Sequence, residues 1–126
     1  MNAFFIAGGA FNPDMMLDLK REFLDGAKER GIEINDTAEG LTLTNDDFER
    51  ASKKARLEGE PCALVFCSWT DEEQIIHLAR EISPLPLILV GFDGPADLIS
   101  VSGVMATASN LARMNISFVP IVGSMS

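Results

Sequence analysis

Two kinds of hydrophobic pattern alternate along this chain. Short apolar runs without charges are typical of strands that are covered on both faces of a sheet. The clearest of them is Cys62 to Ser68, which we predict to be the central strand. Similar runs predict strands at Ala3 to Ala7, Leu85 to Phe92 and Ile116 to Val122, and Ile32 to Ile34 is a weaker second strand.

The segments between these runs have the periodicity of amphipathic helices. The first is predicted from Asp14 to Arg30, with Asn12 as N-cap, Pro13 at the first helical position and Gly31 at the C-terminal cap. A second helix begins near Thr44 or Asn45 and ends at Gly59. The apolar positions predicted to be buried on these two helices are Met16, Leu19, Phe23, Ala27, Phe48, Ala51 and Ala55.

Two more helices follow the central strand. Thr70 and Glu73 have the spacing of a capping box and begin a helix that buries Ile75, Leu78, Ala79 and Ile82 and stops at Pro84. The helix from Ser102 to Arg113 is built of small residues, so we expect it to lie buried between the sheet and another neighbour.

The alternation of strands and helices predicts an α/β fold in a single domain over residues 1–126. We expect a three-layer, doubly wound, parallel five-stranded sheet with the flavodoxin-like strand order 2-1-3-4-5. Its helices would cover both faces.

A ligand crevice is expected where this strand order reverses, at the carboxyl ends of the first and third strands. The loops Gly8 to Asn12 and Ser68 to Asp71 would face each other there, and the loop around Asp93 would form a third wall. Trp69 is the only tryptophan, and its indole offers a flat apolar face for a sugar ring or a base, with core or interface packing as the alternative. The candidate substrate-binding residues are Phe11, Asn12, Ser68, Trp69, Asp71 and Asp93.

The composition narrows the classes of partner. A net charge of −9 argues against nucleic acid, because phosphate neutralisation needs clustered Lys and Arg. No apolar run approaches the roughly 20 residues that cross a bilayer, so no membrane association is expected. The start of the chain lacks a basic segment and is interpreted as a strand instead of a signal peptide, which suggests a cytoplasmic protein.

The residues that usually carry catalysis are sparse. Cys62 and Cys67 should point to opposite faces of one strand as buried thiols, and His77, the only histidine, should be exposed on its helix. The loop at Gly8 and Gly9 lacks the glycine spacing of a nucleotide-binding turn, and Asp36 is more typical of a turn residue than of a ribose ligand. The acidic and lysine positions of response regulators are absent, and so is a nucleophile elbow.

The second half of the chain resembles the N-terminal domain of the L-fucose isomerase and L-arabinose isomerase superfamily, especially its fucose-isomerase-like members. The resemblance lies in "LVFCSWTDEE", "PLPLILVGFDG" and "SGVMATASNLARMNISFVPIVG" and spans Pro61 to Gly123; the first half matches only in architecture.

This resemblance implies a non-catalytic domain that contributes substrate cover and oligomer assembly to an aldose–ketose isomerase. The family's Mn²⁺ is held by Glu, Asp and His of other domains, so no cofactor or metal is expected in this chain. By position, Trp69 resembles the aromatic residue that reaches over a neighbouring subunit's sugar. The partners implied are further copies of the chain or the missing catalytic domains, with a sugar as ligand. The alternative is a flavodoxin-like module that binds a small ligand or a nucleotide.

Overall fold

The computed structural model describes residues 1–7, 13–37, 41–42, 44–68, 72–92 and 100–123. Within these ranges, five strands and four helices alternate. The strands are β1 (Asn2–Ile6), β2 (Asn35–Asp36), β3 (Cys62–Phe66), β4 (Leu87–Phe92) and β5 (Val119–Gly123), and the helices are α1 (Pro13–Glu29), α2 (Asn45–Glu58), α3 (Glu72–Ile82) and α4 (Ser100–Arg113).

The strands form one parallel sheet in the order β2-β1-β3-β4-β5, which confirms the predicted fold. The predicted central strand lies in the middle of the sheet, and all five residues of β3 are buried. Side chains alternate between the two faces along each strand, so Cys62 and Cys67 belong to different hydrophobic clusters, as expected.

The helices are divided unequally between the two faces. The larger cluster joins α2, α3 and α4 to side chains such as Phe4, Leu64 and Leu89. The smaller cluster joins α1 alone to Phe5, Val65 and the other side chains of the opposite face. Both faces therefore carry helices, but one of them carries a single helix.

Local sequence signals explain where the helices begin and end. The side chain of Thr44 accepts from the backbone N–H of Asp47 while the Asp47 carboxylate accepts from the N–H of Thr44, a complete capping box. Gly31 and Gly59 adopt the left-handed conformation at the ends of α1 and α2, as predicted. Asn115 takes the same conformation after α4.

Two predicted elements are displaced. The second strand is Asn35–Asp36, not Ile32 to Ile34, because the N–H of Ile32 bonds to the carbonyl of Ala27 and so completes the cap of α1. The N–H of Ile116 bonds to Leu111 in the same way, and β5 starts only at Val119. In both places, an apolar residue that the hydrophobic pattern assigns to a strand completes a helix cap instead.

Helix α4 packs against the sheet and α3, but its outer side is open. The backbone at Gly103 approaches Phe66 so closely that an added Cβ would lie 2.9 Å from the ring atom Cδ1. The opposite side carries Met105, Ser109 and Ala112, which are exposed, so no described element supplies the second neighbour and that expectation stays a prediction. Among the described residues, no helix has both the length and the apolar composition needed to cross a bilayer.

Candidate functional site

The sheet reverses its winding between β1 and β3, where the ligand crevice was predicted. Ile6 lies beside Phe66 in the parallel register, and the N–H of Cys67 donates to the carbonyl of Ile6 at 2.9 Å. The helix that follows β1 packs on one face and the helix that follows β3 packs on the other. The chain therefore leaves both strands at the same edge and in opposite directions, which is the geometry of a switch point.

Most of the predicted site residues lie outside the described ranges: Phe11, Asn12, Trp69, Asp71 and Asp93. Ser68 is described and is fully buried at the carboxyl end of β3. Its carbonyl oxygen faces the backbone of α4, only 3.4 Å from the position that a Cβ on Gly103 would take. The substrate contacts of all six residues stay predictions.

The next pair of strand ends is held together by a serine. The Oγ of Ser100, at the start of α4, donates to the carbonyl of Phe66 at 2.5 Å and accepts from the N–H of Phe92 at 2.8 Å. Ser100 is buried, so this hydroxyl satisfies the carbonyl of Phe66 in a buried hydrogen bond and the N–H of Phe92 in a part-buried one. The helix start of α4 is thereby fixed to the ends of β3 and β4.

A different part of the sheet is open. Along β4, Leu87, Leu89 and Gly91 are buried under α4, whereas Ile88, Val90 and Phe92 on the other face are only half-buried. The neighbouring β5 adds Val119 and Ile121, which are 57% and 50% exposed and lie beside Ile88 and Val90 in the register. Large apolar side chains therefore line a sheet face that no described element covers.

This open face forms the floor of a groove of about 620 Å³. One wall is α1, with Phe23, Gly26 and Ala27 facing the groove and with charged residues along its rim. The four charged residues of the rim are Glu22, Asp25, Glu29 and Arg30. We call this region the β4–β5 groove, defined by the floor residues Ile88, Val90, Phe92 and Ile121 and by this wall of α1.

The groove follows from the strand order. Right-handed crossovers place α1 on one face, and once the winding reverses at β1 they place α2, α3 and α4 on the other. Met16 and Leu19 bring α1 over β1 and β3, where they contact the cluster that includes Ala3 and Val65. Nothing else in the described part of the chain reaches the same face of β4 and β5.

The groove was not predicted from the sequence, although a signal for it is present there. The uninterrupted apolar residues of β4 and β5 are typical of strands that are covered on both faces. The predicted strand order leaves only one helix for the face that carries Ile88 and Ile121. Combining these two points would have indicated an apolar surface without a cover.

The titratable groups near the sheet are buried or paired with one another. Burial raises the pKa of the Cys67 thiol to about 12, against a smaller lowering by nearby Lys20, and burial also raises the pKa of Cys62. Lys20 is itself buried over the Phe5 ring and pairs with Asp36 at 2.7 Å. The carboxylate that resembles a ribose ligand in sequence is thus occupied by an ion pair.

His77 is exposed on α3, as predicted, with its Nε2 3.8 Å from a carboxylate oxygen of Glu81. Glu81 also lies 3.6 Å from Arg56 of α2, so His77 belongs to a surface network between two helices. The described residues contain no group of three or more His, Cys, Asp or Glu that could hold a metal ion.

Comparisons with known proteins leave the site to be interpreted from its geometry. No protein-family model matches this chain, and no curated protein sequence matches it.

Proposed function

We propose that this chain is a non-catalytic assembly module that joins another protein through the β4–β5 groove. The observation that carries the proposal is the row of half-buried and exposed aliphatic side chains on one face of β4 and β5, formed by Ile88, Val90, Val119 and Ile121. A parallel sheet normally has both faces covered, and strands that face water alternate apolar with polar residues. These strands have the composition of a covered sheet.

The energy available from covering this face is substantial. Complete burial of a large aliphatic or aromatic side chain stabilises by roughly 1.5–3 kcal/mol, and those of the groove are partly exposed. Covering the floor would contribute on the order of 5 kcal/mol before the costs of association are subtracted. Association itself costs about 4–15 kcal/mol, so polar and charged contacts with the partner must add to this apolar contribution.

This role agrees with the assembly function that the isomerase resemblance implies. Cover of a substrate is the second candidate, and the adjacency of Ile6 and Phe66 at the switch point favours it, because the loops after β1 and β3 start side by side. Trp69 would supply the sugar-facing indole.

The assembly role can be tested with the tagged protein in its native host. We expect it to elute in a complex larger than the 13.7 kDa of the chain. Ile121→Lys should release the free chain, because a charge on the groove floor would have to be desolvated. Val122→Lys is the matched control, since Val122 lies on the opposite face of β5 and is equally exposed, at 48%. A free wild-type chain, or equal effects of both substitutions, would refute the role.

Sugar contact is tested separately by calorimetry and tryptophan fluorescence with aldoses and polyols. We expect binding heat and an emission shift in the wild type and neither in Trp69→Ala. Absence of both signals in the wild type would remove the substrate-cover candidate and leave the assembly role untouched.

A further inference from the structure

We propose that the element seated in the β4–β5 groove is a single amphipathic helix of a partner protein, with Lys or Arg along the edge that faces α1. This inference rests on the proposed assembly function and names the chemistry of the partner. It follows from the dimensions of the groove and from the charges on its wall.

The open face has the dimensions of one helix. Adjacent strands lie about 4.8 Å apart, so two strands offer a floor about 10 Å wide, which matches the diameter of an α-helix with its side chains. The six residues of β4 span about 20 Å, and a helix of about 13 residues covers that length. Helix α1 already lies on the same face, so a second helix beside it would complete the layer.

The acidic residues on the wall of the groove favour a partner helix that is positively charged along the edge facing them. Glu22, Asp25 and Glu29 are spaced i, i+3 and i+7 on α1, so they form one line along the rim. All three are exposed, and within the described part of the chain no ion pair involves them. A partner helix with basic residues along this edge would meet three carboxylates.

Arg30, which directly follows α1, is turned back onto that helix. The Nη1 of Arg30 donates to the carbonyl of Gly26 at 3.0 Å, one turn earlier in α1. Gly26 has no side chain, which leaves room for this contact, since a Cβ there would lie 3.3 Å from the same nitrogen. The rim therefore presents a net negative charge to the groove.

A second copy of the chain fits this surface less well. In a two-fold contact each groove would face the other, and the acidic line on α1 would approach its own equivalent. The chain also carries a net charge of −9, so two copies repel each other at low ionic strength. Charge complementarity favours a basic partner helix instead.

The test uses two fluorescein-labelled, hydrocarbon-stapled helical peptides of about 13 residues, the length from the helix rise above. Both carry the same Leu and Ile face; one has Lys along the edge and the other has Glu at the same positions. Affinities for the intact protein are measured by fluorescence anisotropy at about 20 mM and about 500 mM salt, because screening weakens exposed charge pairs. Sedimentation equilibrium of the protein alone reports self-association.

We expect the Lys peptide to bind at least about tenfold more tightly than the Glu peptide at low salt. The ratio of the two affinities should be smaller at high salt. Ile121→Lys should abolish binding of both peptides. The triple variant Glu22→Gln, Asp25→Asn, Glu29→Gln should remove the preference, whereas neutralising Glu33, Asp46 and Glu58, which are also exposed acidic residues, should retain it.

Three results would overturn the helix proposal: equal affinity for both peptides, binding that survives Ile121→Lys, or concentration-dependent dimers that Ile121→Lys dissociates. If such a result appears while the complex from the host still depends on Ile121 and not on Val122, the assembly role stands and only the basic helix is wrong. If the host complex is absent as well, both proposals fail.

Discussion

Val104 of α4 rests directly against the backbone of Gly91 in β4. A Cβ added at Gly91 would lie 2.7 Å from the Cγ2 of Val104, well inside van der Waals contact. The branched side chain of Val104 has little freedom to move, because it is buried and its χ1 is restricted in a helix. The absence of a side chain at Gly91 therefore sets how closely α4 approaches the sheet.

We predict that Gly91→Ala destabilises the protein by about 1–3 kcal/mol, because α4 must shift to accept the methyl group. Urea denaturation followed by circular dichroism measures the change. Gly123→Ala is the matched control: Gly123 lies in the neighbouring strand beside Phe92, and an added Cβ would meet no atom of the other described residues within 4 Å. Equal stability of the two variants would show that Gly91 and Val104 are not in this contact.

The hydroxyl of Ser100 provides a second prediction. Ser100→Ala should cost about 1–3 kcal/mol, because the carbonyl of Phe66 and the N–H of Phe92 lose their shared partner in a buried position. Ser52→Ala serves as the comparison, since within the described ranges the buried Ser52 bonds only to the carbonyl of Glu49 in its own helix. Thermal unfolding of both variants should rank Ser100→Ala as clearly the less stable one. If Ser52→Ala were the less stable variant, the two hydrogen bonds of Ser100 to the strand ends would be contradicted.

Two consecutive residues of α1 form ion pairs of the same length in different surroundings. Lys20–Asp36 and Arg21–Asp18 are both 2.7 Å, but the cationic side chains are 10% and 69% exposed. Lys20→Ala should destabilise by about 2 kcal/mol or more, because it removes a cation 2.7 Å from the Asp36 carboxylate and the packing of the Lys20 side chain on Phe5. Arg21→Ala should change the stability by less than about 0.5 kcal/mol. Similar losses of stability from the two substitutions would show that Lys20 is not in a more buried environment than Arg21.

The raised pKa of Cys67 predicts a loss of stability at alkaline pH. Between pH 9.0, the ordinary pKa of a cysteine thiol, and about pH 12, the unfolded chain releases the thiol proton while the folded chain retains it. The folded state binds more protons in this range, so the unfolding free energy falls as pH rises, by about 1 kcal/mol per pH unit. Below pH 9 the thiol is protonated in both states, so the contribution of Cys67 to the unfolding free energy is fully present there.

The difference between wild type and Cys67→Ala isolates this effect. Urea titrations at pH 8 and at pH 10 should show that the wild type loses more stability over this interval than the variant does. Because burial is the main cause of the raised pKa, the native thiol should also resist alkylation until the protein unfolds. An equal pH dependence in both proteins would contradict the burial of Cys67.

Most of the architecture could be predicted from the sequence because local and global signals agree. The run from Cys62 is buried throughout, and Gly31 and Gly59 end helices with the positive φ that glycine permits. Boundaries at Ile32 and Ile116 were missed because these apolar residues complete helix caps, a role that a hydrophobic pattern does not distinguish from a strand.

The site was less predictable than the fold. The predicted crevice depends on loop residues such as Asn12 and Trp69, whose placement a strand pattern does not determine, although the reversal between β1 and β3 was confirmed. The groove floor at Ile88 and Ile121 was missed for another reason. The apolar composition of each strand indicates a covered face, but only the number of helices on each face shows that the described helices do not cover this one.

The proposed assembly role requires that a partner covers one face of β5 in the cell. Its most direct test is maleimide labelling of Ile121→Cys and Val122→Cys, which are matched in exposure but lie on opposite faces, in a chain whose own two cysteines are buried. We predict that both engineered thiols react rapidly with maleimide in the purified protein. In intact host cells, labelling at position 121 should slow by about tenfold or more, whereas labelling at position 122 should not slow. Equal labelling of the two positions in cells would contradict the account.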